Sequence, residues 1–484
     1  MLEQLEPSAV WTHFEALNAV PRASKKEERV IQFMLDFGYG LGLSTVKDAV
    51  GNVIIRKPAT AGMEDRQTVV LQSHLDMVHQ KNNDTVFDFD NQGIQMLIDG
   101  DWLRADGTTL GADNGIGVAA IMGLLAATDI AHPALEALFT IDEETGMTGA
   151  KGLQGGLLSG SILLNLDTEE DTEIDIGCAG GVDVTARLSY EALSVSDAAV
   201  LYQLQVKGLQ GGHSGMEIHK GLGNANKILT RLLYKLTLQG ARLSNIDGGG
   251  LRNAIPREAS ALLAFENINE QGVFSVFDQE VAALKAEFAT VDPGLQISLL
   301  KLAATPVTLL PIAVQDKLLK SLYAAPNGVY RMSADFADLV ETSNNIARVE
   351  VKDGAIVIKC LTRSSVESSK WDLATALRSC FELMGAEVSF SGDYPGWTPN
   401  PNSAILEVLK STYMELFADE PEVVACHAGL ECGILGTNYP GMDMISFGPT
   451  ILGAHSPQER VSISSVQKFW KFLLQVLQQI PASK

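Results

Sequence analysis

The chain is expected to fold as an α/β protein in two domains, one inserted within the other. Three observations predict this. A length of 484 residues exceeds what one hydrophobic core fills, roughly 250–300 residues. The first third alternates strand-like and helix-like apolar runs, the pattern of a sheet covered by helices on both faces. Five residues suited to one metal centre, His74, Asp113, Glu144, Asp167 and His455, are spread along the chain. The interval between the last two is long enough to hold a whole domain.

Taken in order, residues 8–17 and 25–39 have helical periodicity, and residues 51–57 and 68–73 read as strands. A helix over 114–128 starts at the polar pair Asp113-Asn114. Its apolar stretch, 116–127, is the longest in the chain and too short to cross a bilayer, which takes about 20 residues. Strands follow at 135–141 and 161–166, and a helix over 464–480 closes the chain. The middle, about 184–395, has a different texture, with alternating strands such as LYQLQVKG and ARVEVKDGAIVIKCL. A faint internal echo runs through it. Arg252-Asn-Ala-Ile-Pro leads to ASALLAFE, VFDQEVAALKAEFA and LQISLLKL; Asn344-Asn-Ile-Ala leads to ARVEVKD, AIVIKCL, DLATALRSCFELM and AEVSFSG. Two related α+β lobes would give this pattern.

A formal charge of −23 argues against binding nucleic acid or an anionic membrane surface. The N-terminus lacks a basic region followed by an apolar core, so no secretory leader is expected. Five cysteines, an odd number with no CxxC pair, fit a reducing cytoplasm.

Four of the five candidate ligands follow strand-like runs or lie in the loops beside them, where open α/β sheets gather their ligands. His74 and Asp76 lie two apart in an extended segment, so both side chains share a face. One could bind metal while the other takes the second ring nitrogen and fixes the tautomer. Asp113, in GADNGIG, suits either a helix cap or a carboxylate bridging two metals. Glu143 and Glu144 follow LEALFTID: an acidic turn, or one metal ligand beside one general base. Asp167 ends a strand and precedes a solvated acidic run. His455 lies in the loop GAHSP. Two imidazoles and three carboxylates suit zinc. Beyond these, His213 sits among glycines in QGGHSGM, His427 and Glu431 sit in the loop HAGLECG, and Arg363 follows a strand in LTRSS. A guanidinium there could clamp a carboxylate bidentately.

In this order, SHLDMV, GADNGIG, DEETG, NLDTEE, a long insertion and GAHSPQE resemble the dizinc exopeptidase family of aminoacylases, carboxypeptidase-G2-like enzymes and cytosolic dipeptidases. The resemblance spans essentially the whole chain. VPRASKKEERV, GGHSGMEIHKGLGNANK and HAGLECGIL are similar to its Xaa-His dipeptidase subgroup. The resemblance implies a mixed-sheet catalytic domain of residues 1–183 and 396–484, interrupted by an α+β lid or dimerisation domain at 184–395. It implies two zinc ions, replaceable by cobalt or manganese: His74 and Asp167 on one, Glu144 and His455 on the other, Asp113 bridging. Asp76 would orient His74, and Glu143 would activate the bridging water toward a dipeptide. His213 would stabilise the oxyanion. Asn253 and Arg363 would hold the substrate carboxylate, and Glu431 the free amine. The large, repeated lid implies that one chain supplies His213 to its own site, with a homodimer through the lid left open. A tripeptidase or an N-acyl amino acid deacylase would use the same scaffold. A metal-binding protein that kept the fold without activity is the non-enzyme alternative, and a candidate base beside a full ligand set argues against it.

Overall fold

The computed structural model describes residues 2–82, 84–195, 199–266, 268–303 and 307–483. The chain divides into two compact units, Met1–Gly177 with Trp397–Ala425 and Leu430–Lys484, and Cys178–Gly396 with Cys426–Gly429.

The first unit is built on an eight-stranded sheet. Its order is Ser44–Lys47, Val53–Lys57, Leu135–Thr140, Val69–His74, Ile162–Asn165, Asp443–Ser446, Glu173–Cys178 and Glu422–Cys426. The central four strands, from Leu135–Thr140 to Asp443–Ser446, run parallel; Ser44–Lys47 and Val53–Lys57 join one side antiparallel, and Glu173–Cys178 pairs antiparallel with Asp443–Ser446 on the other. Mixed orientation of this kind is common in large sheets. Val69–His74 and Leu135–Thr140 are buried at every position, so their apolar residues, such as Val69-Val70-Leu71 and Ala137-Leu138-Phe139, are adjacent and not alternating, as in strands covered on both faces.

The helix Ala112–Ala126 is buried along nearly its whole length, the property of a helix that is apolar all round. Asp113 and Asn114 depart from helical φ/ψ at its start. The second helix runs Glu28–Gly40 and not from residue 25, because Lys25 takes φ 64, outside the helical region. Ser8–Asn18 and Ile463–Gln478 form helices close to the expected bounds.

The second unit carries a nine-stranded antiparallel sheet over one large apolar core. Residues 200–301 contribute strand Val200–Lys207, helix Ala225–Thr237, strands Arg242–Gly249 and Ala259–Phe265, helix Glu270–Glu287 and strand Gln296–Lys301. In the sheet these four strands lie in the order fourth, first, third, second. The remainder repeats the scheme with strand Gly180–Ser189, helix Ile312–Ala324, strands Val340–Lys352 and Ala355–Ser364, helix Glu367–Glu382 and strand Glu387–Tyr394, in the same spatial order. Each lobe is thus a split β-α-β arrangement. The lobes join through their second strands, antiparallel, with Ile246 opposite Val351 and Gly249 opposite Arg348. One lobe is threaded between the first strand and the first helix of the other.

Candidate active site

The four parallel strands deliver their C-terminal ends to one edge of the first unit's sheet. His74 is the last residue of Val69–His74. Glu143 and Glu144 follow Leu135–Thr140, Asp167 follows Ile162–Asn165, and Asp113 lies at the start of the buried helix. His455 is carried by the hairpin Ile451–Leu452 and Arg460–Ser462, which pairs onto Trp102–Ala105.

The five expected ligands meet. His74 Nε2 lies 3.1 Å from Asp113 Oδ1 and 3.5 Å from Asp167 Oδ1. His455 Nε2 lies 3.1 Å from Asp113 Oδ2 and 2.8 Å from Glu144 Oε2. The two oxygens of Asp113 therefore face different imidazoles, the disposition of a carboxylate shared between two centres. The alternative, in which this carboxylate caps the helix, is not what the structure shows: the N-cap position is Gly111, and it has no side-chain cap.

Asp76 is wholly buried and does more than face His74. Its main-chain oxygen is 3.1 Å and its Oδ1 3.4 Å from His74 Nδ1. Its carboxylate also accepts from the Glu143 and Glu144 amides, at 3.0 and 3.3 Å, and from Ser24 Oγ at 2.7 Å. One side chain thereby holds the His74 strand end and the two glutamates together. The turn between them is set by Asp142, at φ 54, whose carboxylate accepts from the Thr145 and Thr148 hydroxyls. His455 too is left-handed, at φ 61. Non-glycine residues in this region mark sites that the surrounding structure constrains.

The electrostatics call for cations. Burial opposes it, yet Asp167, Asp113 and Asp76 hold the His74 imidazole well above its ordinary pKa. Hydrogen bonds to Asp113 and Glu144 push His455 up to about 11. Asp113 is held below the usual carboxylate range by the two imidazoles, against its burial. Burial lifts Glu143 well above that range, opposed by His74 and reinforced by Asp167, Glu431 and Glu144. Glu144 Oε1 and Asp167 Oδ1 are buried with no hydrogen-bond partner among the described residues. Buried acceptors without partners ask for an ion. Donor atoms of His74, Asp113 and Glu144 lie within 4.8 Å of one another. Hard carboxylates and borderline imidazoles in this arrangement fit divalent cations.

A separate cluster lies in the second unit. Arg363 is 5% exposed and donates from Nη1 to Tyr394 Oη at 2.9 Å, while its Nε has no partner among the described residues. His213 Nδ1 accepts from the Gly215 and Met216 amides at 3.2 and 3.0 Å, so a neutral ring carries its proton on Nε2. His213 is pushed down to about 4 by burial, then by the Arg363 charge, which keeps it neutral near pH 7. His427 Nε2 pairs with Ser343 Oγ at 2.8 Å. A Cβ added to Gly215 would lie 2.1 Å from His427 O, 3.1 Å from His213 Cε1 and 3.2 Å from Arg363 Nε, so these groups share one neighbourhood. Asn253 is exposed, and its carbonyl accepts from the Ser214 amide at 2.8 Å, beside His213.

Glu431 departs from the sequence expectation. It does not lie in a loop: it opens the helix Glu431–Asn438 and is fully buried. Its Oε2 accepts from Thr140 Oγ1 at 2.5 Å and Gln72 Nε2 at 2.7 Å. That oxygen is committed within the sheet layer, while its Oε1 is buried with no hydrogen-bond partner among the described residues. Ser343 and Tyr394 join the cluster without any sequence signal to mark them. Ser343 stands opposite Arg363 in the ladder, a register that no local motif announces.

Two imidazoles flanked by carboxylates at strand ends, with one carboxylate between them, offer the donor set that metal-dependent hydrolases use. The chain belongs to peptidase family M20/M25/M40, whose model matches residues 70–479, and it is a metallopeptidase. It is 45% identical over 482 residues to the cytosol non-specific dipeptidase of Escherichia coli (strain K12), across 99% of each chain. The crystal structure of aminoacylhistidine dipeptidase from Vibrio alginolyticus superposes with a TM-score of 0.94 at 42% identity, covering 100% of this chain and 99% of that one. A tripeptidase from Staphylococcus aureus, at 15% identity and a TM-score of 0.57 over 98% and 99% of the two chains, shares the fold.

Proposed function

We propose that the chain hydrolyses dipeptides, Xaa-His among them, in the cytoplasm, with two zinc ions held by His74, Asp113, Glu144, Asp167 and His455. The observation that carries this reading is the Asp113 carboxylate, whose two oxygens face different imidazoles. His74 and Asp167 would hold one ion, Glu144 and His455 the other, and Asp113 both. Bound there, the ions supply Lewis acidity toward the scissile carbonyl and lower the pKa of water. Glu143 carries no ligand duty in this assignment. It takes the proton of the attacking water on a carboxylate oxygen and delivers it to the leaving amine nitrogen. Asp76 keeps His74 oriented and fixes the main chain of both glutamates.

The second unit serves as the lid. Arg363, with an unpartnered buried Nε, takes the C-terminal carboxylate of the substrate, assisted by Asn253. His213 donates its Nε2 proton to the developing oxyanion, from the same chain. A cytoplasmic location is supported by the name of the Escherichia coli relative and by five cysteines with no disulfide among them.

Metal analysis of the purified protein, joined to a panel of Ala-His, carnosine, a tripeptide and N-acetyl amino acids, tests the proposal. Two equivalents of zinc and turnover of the dipeptides are expected. Turnover confined to the tripeptide or the N-acetyl amino acids would replace the dipeptide assignment.

A further inference from the structure

Two fully buried, oppositely charged side chains hold the Asp113 segment from two sides, and neither is in the ligand set. Arg22 is 0% exposed. Its Nη2 donates to Gly111 O at 2.6 Å and to Asn18 Oδ1 at 3.1 Å. Its Nη1 donates to Leu75 O at 3.0 Å and Asp76 O at 3.2 Å. One guanidinium thus spans the two residues after His74 and the residue two before Asp113. Its planar fork, with donors fixed in direction, suits a fixed spacing between main-chain segments.

Glu459 is 2% exposed. Its Oε2 accepts from the Leu110 and Gly111 amides at 2.7 and 3.0 Å. Its Oε1 accepts from the Ala112 and Asp113 amides at 2.7 and 3.2 Å. Four consecutive amides at the start of a helix end on one carboxylate, where the helix dipole favours negative charge. Glu459 lies four residues after His455, and its own amide donates to Ser456 O at 3.0 Å, within the same turn. Its grip therefore runs from the His455 turn to the Asp113 segment.

We propose that Arg22 and Glu459 are positioning residues with separate charges: Arg22 fixes His74 relative to Asp113, and Glu459 fixes His455 relative to Asp113. The inference rests on the metal reading above. Sidedness is its distinctive content. Residues that serve only the general fold would weaken both metal ions alike, whereas these two weaken different ones. Partners that orient metal ligands are typically worth about 10–100-fold in metal affinity, and that is the loss expected here.

Chelator-stripped full-length protein is titrated with Co(II), followed by visible absorption and by metal content, for the wild type, Arg22→Lys, Glu459→Gln, His74→Ala, His455→Ala and the doubles Arg22→Lys/His74→Ala and Glu459→Gln/His455→Ala. Each positioning variant should weaken one equivalent about 10–100-fold, and a different one. Each double should bind little worse than its histidine variant, because residues acting through one another are not additive. Should Glu459→Gln fail to fold, Glu459→Asp, which keeps the charge but shortens the reach, takes its place with the same expectation. Equal weakening of both equivalents, additive losses in the doubles, or wild-type affinity in the singles would overturn the proposal. A wild type that binds no Co(II) would remove the metal reading and this inference with it; two normal equivalents in Arg22→Lys and Glu459→Gln, with losses in the two histidine variants, would remove the inference alone.

Discussion

Each oxygen of the Asp113 carboxylate faces a different imidazole, and the adjacent glutamates divide in the same way. Glu144 Oε2 meets His455 at 2.8 Å, while the Glu143 carboxylate accepts no hydrogen bond among the described residues. Glu143→Gln should therefore keep its metal content and lose at least about 100-fold in turnover, the usual scale of general-base catalysis. Glu144→Gln should lose metal. Metal analysis that found the loss in the Glu143 variant instead would exchange the two roles. His427 offers a test in the second unit. Burial, then the charges of Arg363, His213 and His219, push its imidazole down to about 3, against an ordinary value near 6.5. The fold thus favours the neutral ring. Its contribution is complete above about pH 6.5 and is lost as the pH falls toward 3. Urea unfolding between pH 7 and pH 4 should show the wild type losing more stability than His427→Gln; parallel curves would refute this.

At the scale of elements, the apolar runs that mark strands and the buried helix could be read directly, because burial on both faces places apolar residues side by side without alternation. The order of those strands could not. Nothing local tells residues 135–140 to lie beside 69–74, or 443–446 to lie beside 162–165. The echo between residues 252–302 and 344–392 covers only the later part of each lobe. The first strand of the second lobe lies at Gly180–Ser189, upstream of the entire first lobe, where a linear comparison does not reach. The junction of the lobes depends on Gly249. It has φ +72, and a Cβ there would lie 1.9 Å from Ala347 O. Gly249→Ala should destabilise the second unit by roughly 2–4 kcal/mol, the range for strain and overpacking at a special backbone position. Limited proteolysis and thermal melting would detect it; an unchanged melt would show that the junction tolerates separation.

For the whole molecule, the second unit holds two lobes of the same spatial order in one chain, and on this rests the proposal that His213 acts within its own chain. Mixing an inactive His213→Ala protein with an inactive Glu143→Ala protein should restore no activity; recovery would show that His213 is supplied in trans. Removal of metal by a chelator should lower the thermal midpoint of the first unit and raise its susceptibility to protease. Ligand saturation at about 100 times Kd is worth about 2.7 kcal/mol, and five clustered ligand side chains lose their common partner. A midpoint insensitive to chelator would count against the metal centre.

The sequence by itself determined the chemistry on offer: which residues carry imidazole and carboxylate, that four of the five follow strand-like runs or lie in the loops beside them, and that a long interval separates Asp167 from His455. These are properties of short segments, set by residue type and hydrophobic period, and they survive without knowledge of the fold. Only the tertiary structure decided which atoms meet. The double-sided placement of Asp113, the grip of Asp76 on both glutamates, the commitment of Glu431 to Thr140 and Gln72, and the four amides gathered by Glu459 all join residues that are 39 to 359 positions apart. Sheet register and helix ends set those meetings. They depend on how strands far apart in sequence pack together, for which no single segment of the chain holds the information.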